Sequence, residues 1–508
     1  MKKINQMTVV AATTILFAII SIGCTATPTA NDVSETSPAI YPDYTDLTVP
    51  VNIAPLNFMI SDAKRIIANY EGNNMSISVY GRNRIEIPQK KWKKLLQKNA
   101  GDTIFLEIIV KHSKKWIKYP KTRYFVSTDC IDPYIVYRKI PPGYDEWNQM
   151  GLFQRNLESF NEAAVITNAS TKKNCMNCHT FCMNDPDAMV FHFRQKYSGT
   201  YIYKGNILSR IDTKTEHTIS NCVYPYWHPS GQFIAFSTNL TSQSLHAHPD
   251  LNVEVYDTDS DIVIFDVEKN ELFTDSLLNL PDIMETFPAF SPDGKKLFFS
   301  ASVKPENLPQ QYKSIKYSLC SIDFDPHTKK FGTTIDTLIS SFAVNKSVSF
   351  AHPSPNGKYL LCTLSDYGCF PSWNEESDLY LFCLSSSQLL RLDAVNSPYS
   401  EGFTSWSSCN RWITFSSRRE NRQYNNLYFS HIDSAGNLSK PFLMPQKKPV
   451  SNIMKLYAYN KPEFVKAKVT LKQPIIVNVA KGDVIPVSFS GKSNKKPEVI
   501  PSVAIDVN

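Results

Sequence analysis

The sequence predicts a mainly β protein whose central part is a β-propeller, and three observations predict it. Aromatic residues are plentiful, with 29 Phe, 25 Tyr and 7 Trp in 508 residues, and long Ala/Glu/Lys/Leu stretches are missing, a balance that favours strands. One turn motif recurs through the middle of the chain, the mark of a repeat architecture. Each copy leads into a run of large apolar residues that reads as a strand.

In chain order, Lys2 and Lys3 give a positive start, and residues 8–22 form an uncharged, mostly apolar run. About 15 such residues are too few to span a bilayer comfortably and fit a cleaved signal segment. Ser21-Ile22-Gly23-Cys24 resembles the lipobox of bacterial lipoproteins, with Ser21 where Leu is usual. The resemblance implies removal of residues 1–23 and a lipid on Cys24; an uncleaved signal anchor is the alternative. Residues 24–50 read as a tether, because 25–41 are rich in Thr, Ser, Pro and Ala. No other run is long enough to cross a membrane.

Residues 51–170 lack the repeat. Strand-like runs at 102–110 and 123–127 and a helical 90–98 suggest a small β-rich or α+β domain. The basic run Lys90-Lys91-Trp92-Lys93-Lys94 suits the solvated face of a short helix better than a phosphate or lipid headgroup contact. The net charge of +7 is spread thinly and says little about partners, and export argues against nucleic acid.

A haem-attachment segment is expected over 171–184. Cys175-Met176-Asn177-Cys178-His179 is a Cys-x-x-Cys-His run behind an export signal, the pattern of covalent c-type haem attachment. Two thiols add across the porphyrin vinyl groups and the adjacent imidazole becomes the proximal iron ligand. Cys175 and Cys178 are thus the expected thioether anchors of one haem c, and His179 its ligand. Met183, Met189 and His192, together with His246 and His248, are candidates for the distal position, although alternation along a strand would place Met189 and His192 equally well. Two other readings stay open: a zinc or iron–sulfur site that recruits Cys182, and a Cys178–Cys182 or similar disulfide. Of the other cysteines, Cys362 and Cys383 lie in apolar runs, where Cys behaves as a small buried hydrophobe.

The repeat itself reads Tyr226-Trp227-His228-Pro229-Ser230-Gly231, then Ala289-Phe290-Ser291-Pro292-Asp293-Gly294, then Ala351-His352-Pro353-Ser354-Pro355-Asn356-Gly357. A fourth copy, Ser405-Trp406-Ser407-Ser408-Cys409-Asn410, has lost its Pro and Gly. A fifth and weaker one is Asn184-Asp185-Pro186-Asp187. Pro presets the first corner of such a turn and Gly tolerates positive φ. Four short strands per unit with this turn chemistry indicate a propeller blade. These residues resemble the WD40-like repeats of the TolB-type propeller family over about half the chain. The resemblance implies a propeller across 185–450, with five blades visible and six or more expected. The spacing exceeds the usual roughly 40–45 residues per blade, with inserts at 240–259 and 303–314. Closure is left open by five visible blades: strands from the N-terminal part or from 457–472 complete a sixth, or one blade is too diverged to see. Residues 451–508 form an extension that docks as edge strands or stays irregular.

The expected function is electron transfer or redox sensing by a haem-carrying lipoprotein of the cell envelope, at the outer membrane, facing either the periplasm or the outside. Its partners are envelope proteins or a redox partner. The alternative, which the propeller resemblance implies, is a protein-binding scaffold without haem. The sequence shows no Gly-x-Ser-x-Gly elbow, His-Glu-x-x-His helix or Rossmann glycine pattern. No catalytic residue is expected, and any activity would be haem-based redox chemistry.

Overall fold

The structure, a computed structural model, describes residues 32–141, 149–245, 253–370, 372, 374–491 and 494. The lipobox cysteine Cys24 and the candidates His246 and His248 lie outside the described residues. Six mainly antiparallel sheets of four or five strands follow one another as the blades of a β-propeller. Blade two opens with Met176–Phe181, blade three with Cys222–Trp227, blade four with Ile283–Phe290, blade five with Ser347–Pro353 and blade six with Glu401–Trp406. Blade one takes three strands from before the repeats (Tyr134–Ile140, Gly151–Asn156 and Glu162–Thr167) and its innermost strand, Ala458–Val465, from after them. Both ends of the chain therefore contribute to blade one, and this shared sheet closes the ring.

Each pair of neighbouring blades encloses its own apolar layer. Phe191, Phe193 and Tyr201 pack with Leu152 and Ile166 between blades one and two. Phe233 and Ile264 meet Phe290 and Phe299 between blades three and four. This is repeat physics: no blade buries its faces alone, and each depends on the next.

The recurrent turn joins the first and second strands of a blade. In blade four Ser291 Oγ donates to Asp293 Oδ1 at 2.6 Å and accepts from Lys296 N at 2.9 Å. Blade five repeats this with Ser354, Asn356 and Tyr359. In the degenerate copy Cys409 Sγ sits 3.2 Å from Ser407 Oγ, in the place of the Asp or Asn oxygen. Asn410 there holds φ 63°, a region Asn tolerates better than most residues. Gly294 has φ +72°, and a Cβ on it would lie 2.2 Å from His228 Nε2, which is fixed by the Gly294 carbonyl at 3.0 Å. Gly294→Ala is expected to destabilise the chain by ~1–3 kcal/mol, read as a lower urea midpoint at unchanged slope.

The sheets divide the chain differently from the expected boundaries. The N-terminal domain ends before Tyr134, because the strands of residues 134–167 form one sheet with the closing strand rather than with the domain. Nor is 24–50 wholly a tether. Leu47–Pro50 pairs in parallel with Thr122–Ser127, and Ile40, Tyr44, Leu47 and Val49 are buried. The helix Gln89–Lys98 seats Trp92, Leu95 and Leu96 in that core and leaves its lysines outward. The domain docks on blade six. Ser408 N donates to Asp132 Oδ2 at 2.6 Å, Trp412 Nε1 to the Asp129 carbonyl at 3.0 Å, and Tyr44 Oη to the Leu443 carbonyl at 3.0 Å. The expected insert at 240–259 prolongs the blade-three hairpin, whose strands are Phe233–Leu245 and Val253–Asp266. In the C-terminal extension, Gln473–Lys481 is a helix. Ile485–Pro486 and Ser488–Ser490 add parallel edge strands to blades two and three. Among the described residues no helix is long and apolar enough to cross a membrane.

Candidate functional site

Every innermost strand carries the same irregularity. Two consecutive residues face a single residue of the neighbouring strand, and the first of the two has positive φ. They are Cys178-His179 in blade two, Tyr224-Pro225 in three, Phe287-Pro288 in four, Phe350-Ala351 in five, Phe403-Thr404 in six and Lys461-Pro462 in one. The φ values run from 48° to 54°. Such a bulge bends a strand and re-aims a side chain. Here it turns six side chains toward the channel at equivalent positions. Four are aromatic and pack in an arc: Tyr224 edge-on to Phe287 at 4.6 Å, Phe287 tilted on Phe350 at 4.0 Å, and Phe350 edge-on to Phe403 at 5.2 Å between centroids. The other two positions hold Lys461 and Cys178.

The Cys-x-x-Cys-His run is therefore not a segment ahead of the first blade, as expected, but the start of blade two's inner strand. The bulge residues Cys178, Tyr224, Phe350, Phe403 and Lys461 line a cavity of about 460 Å³ at one mouth of the channel, a size typical of ligand pockets. His179 and Asn177 share the wall with Cys178, and Arg138, Arg194 and Arg418 surround them. The extended blade-three hairpin contributes Thr241, Gln243 and Val255.

His179 is fully buried, and neither ring nitrogen makes a well-formed hydrogen bond. The Val136 backbone offers an acceptor that only slightly favours the protonated ring. Burial, reinforced by Lys461 and Arg138, pushes the imidazole down to about 3. A neutral imidazole with an open nitrogen is the form that binds a metal. Asn177 Oδ1 and Arg138 Nε are likewise buried in this wall without partners. Unpaired buried polar atoms are rare enough that a cluster of them calls for a ligand or water.

The motif is only partly gathered. Cys175 is half-buried, packs against the layer between blades one and two, and does not line the cavity. Met189 is fully buried in that same layer. His192 is buried, with Nδ1 3.4 Å from Thr200 Oγ1. Met183 lies on the opposite mouth of the channel, with Trp406 and Glu463. None of the three distal candidates lines the cavity beside His179. Cys182 packs between blades two and three with its thiol toward the His228 carbonyl at 3.6 Å, and burial pushes that thiol up to about 11. The four-ligand zinc or iron–sulfur arrangement is not assembled: among the described residues no group of three or more His, Cys, Asp or Glu side chains comes together. A Cys178–Cys182 bridge is not formed either, since both thiols are free and Cys178 faces the channel.

Behind the aromatic arc lies Asp257, 1% exposed. It accepts from Asn239 Nδ2 at 2.7 Å and Thr241 Oγ1 at 2.8 Å, and Cys369 Sγ points at it from 3.5 Å. Burial nonetheless pushes its carboxyl up to about 6. The folded chain thus holds this proton more tightly than the unfolded one. The resulting stability is full below the ordinary Asp range near 4 and is lost as pH rises through about 6. The loss expected from this residue is up to ~3 kcal/mol, and urea melts from pH 4 to pH 8 should show a profile that Asp257→Asn flattens.

The arc and the basic wall were not foreseen from the sequence. Tyr224, Phe287 and Phe350 each stand five residues before the Pro of a repeat turn, as Phe403 does before Ser408. Extending the repeat backwards by a few residues finds them. No family model matches this chain, and no curated protein does. Solved structures similar to it include a DUF4784 family protein from Bacteroides caccae, at 8% identity and TM-score 0.31, covering 71% of this chain and 97% of that one. Prolyl oligopeptidase B from Galerina marginata bound to a 35mer substrate aligns at 11% identity and TM-score 0.33, over 77% of this chain and 54% of its own. An oligogalacturonate lyase in complex with manganese aligns at 11% identity and TM-score 0.27, over 74% and 99%. Likeness this remote carries no argument about activity, and the site is read from its own residues.

Proposed function

We propose that this chain is an envelope-anchored carrier of one c-type haem, held at the channel mouth, and that it works in electron transfer or redox sensing. One observation carries the reading: a buried imidazole, His179, stands on a cavity wall beside Cys178 with neither nitrogen in a well-formed hydrogen bond. Cys178 and His179 fit the group as they stand. Cys175, three residues earlier, is half-buried and does not line the cavity, so its addition would require the segment before the inner strand to turn. When bound, haem supplies one-electron redox chemistry at its iron. The chain's own residues would orient the proximal nitrogen, exclude water with the Tyr224–Phe350–Phe403 surface, and set a positive field through Arg138 and Lys461. The lipobox resemblance and the TolB-like repeats support an outer-membrane lipoprotein with this propeller outside the cytosol, where cytochrome maturation takes place. The test is an absorption spectrum of the natively matured full-length protein, with haem staining after denaturation. A Soret band and a stained band are expected. A colourless polypeptide would leave only a lipid-moored protein-binding scaffold.

A further inference from the structure

We propose that the basic wall of this cavity recognises carboxylates, so that the site takes a flat apolar molecule bearing acidic groups on one edge. Its floor is the aromatic arc, with Tyr224, Phe350 and Phe403 exposed to the cavity. Above that floor stand Arg138, Arg194, Arg418 and Lys461, and no described lining residue is an Asp or Glu. Cations gathered in a partly enclosed space repel one another and want an anion, and a guanidinium meets a carboxylate through two parallel N–H donors.

Lys461 Nζ has Glu463 at 3.6 Å, on the opposite side of the bulge ring. Arg418 Nε donates to Asn425 Oδ1 at 3.4 Å, and burial pushes this guanidinium down to about 10. Arg138 Nε is buried with no partner. Arg194 is exposed at the rim, and its backbone N–H donates to the Cys175 carbonyl at 2.9 Å, which ties the rim to the attachment motif. Aromatic floor and basic wall together select for an acid with a planar body, because a small inorganic anion would leave the arc uncovered.

Two sources share this chemistry. One is the propionate edge of a haem attached at Cys178, which rests on the reading above. The other is a free aromatic polycarboxylate, which does not. The test uses the full-length chain with Cys175→Ala and Cys178→Ala, so that nothing is covalently attached. It is titrated at low salt with protoporphyrin IX and with its dimethyl ester, following quenching of intrinsic fluorescence. The diacid is expected to bind about tenfold more tightly than the ester. Arg138→Gln and the rim variant Arg194→Gln should each weaken the diacid and leave the ester unchanged, and Arg194, being exposed, should do so without loss of fold. Equal binding of acid and ester, no binding of either, or equal weakening of both by the two variants would overturn the proposal. Benzene-1,3,5-tricarboxylate added to the natively matured chain then separates the sources. Binding that haem attachment abolishes assigns the wall to the propionates, and binding that persists assigns it to a free acid. A matured chain without the macrocycle's mass would end the haem reading while leaving discrimination between acid and ester intact.

Discussion

Cys178→Ala is expected to reduce covalent haem on the natively matured chain to a trace, while Cys175→Ala keeps a measurable share of it. The asymmetry follows from where the two sulfurs stand. Cys178 is the first residue of a bulge, held at φ 54° and lining the cavity beside His179. Cys175 lies one residue before the inner strand and packs toward the layer between blades one and two. An addition that must place the iron within reach of His179 depends first on the sulfur already on that wall. Intact-mass measurement of both variants, with haem staining of denatured protein, reads the difference. Equal retention by the two would mean that the inner strand rearranges before attachment. No adduct on the unsubstituted chain would remove the cofactor altogether.

The turns of this fold were legible because their chemistry is local. A Ser that caps, an Asp or Asn that accepts and a Gly at positive φ can be read within six residues in blades four and five, and the looser copies of that turn pointed to the second strands of blades two, three and six. The bulges were not, because what makes them is the opposing strand. Nothing in Cys178-His179 or Phe403-Thr404 declares that two residues will face one. Three of the six pairs do end in Pro, which has no N–H to give to a ladder, and that hint becomes visible once the pairs are aligned. The channel mouth also escaped notice because its parts are far apart in sequence: Arg138, Arg194, Arg418 and Lys461 meet only when the ring closes. The Cys-x-x-Cys-His run, by contrast, announces its chemistry without its setting. Its spacing alone could not show that Cys178 and His179 would share a cavity while Cys175 would not. The blade-one strands at 134–167 were assigned to the N-terminal domain for a related reason. They carry no repeat turn, and their partner strand lies some 300 residues downstream.

A chain ending at Tyr457 is expected to lose cooperative unfolding, because it lacks the strand that closes the ring. Ala458–Val465 pairs with Tyr134–Ile140 along its whole length and brings Phe464 and Val465, both fully buried. Phe464 joins Phe429 at 5.9 Å between centroids, which couples blade six to blade one. The Ser416 hydroxyl also donates to the Tyr459 carbonyl at 2.9 Å. Without this strand, blade one keeps three strands whose inner edge is bare, and blade six loses the face it packs against. In a repeat array each missing interface is felt by both neighbours. Phe464→Ala alone should cost ~3–5 kcal/mol, seen as a large drop in urea midpoint. A chain ending at Gly482 is the matching control. It gives up the short parallel pairings of Ile485–Pro486 and Ser488–Ser490 on outer edges and the packing of Val487 and Phe489 between blades two and three, and its midpoint should fall far less than that of the chain ending at Tyr457. If the Tyr457 truncation unfolded as steeply and as late as the Gly482 one, closure by the C-terminal strand would not be what holds the propeller together, and the packing between blades would have to suffice.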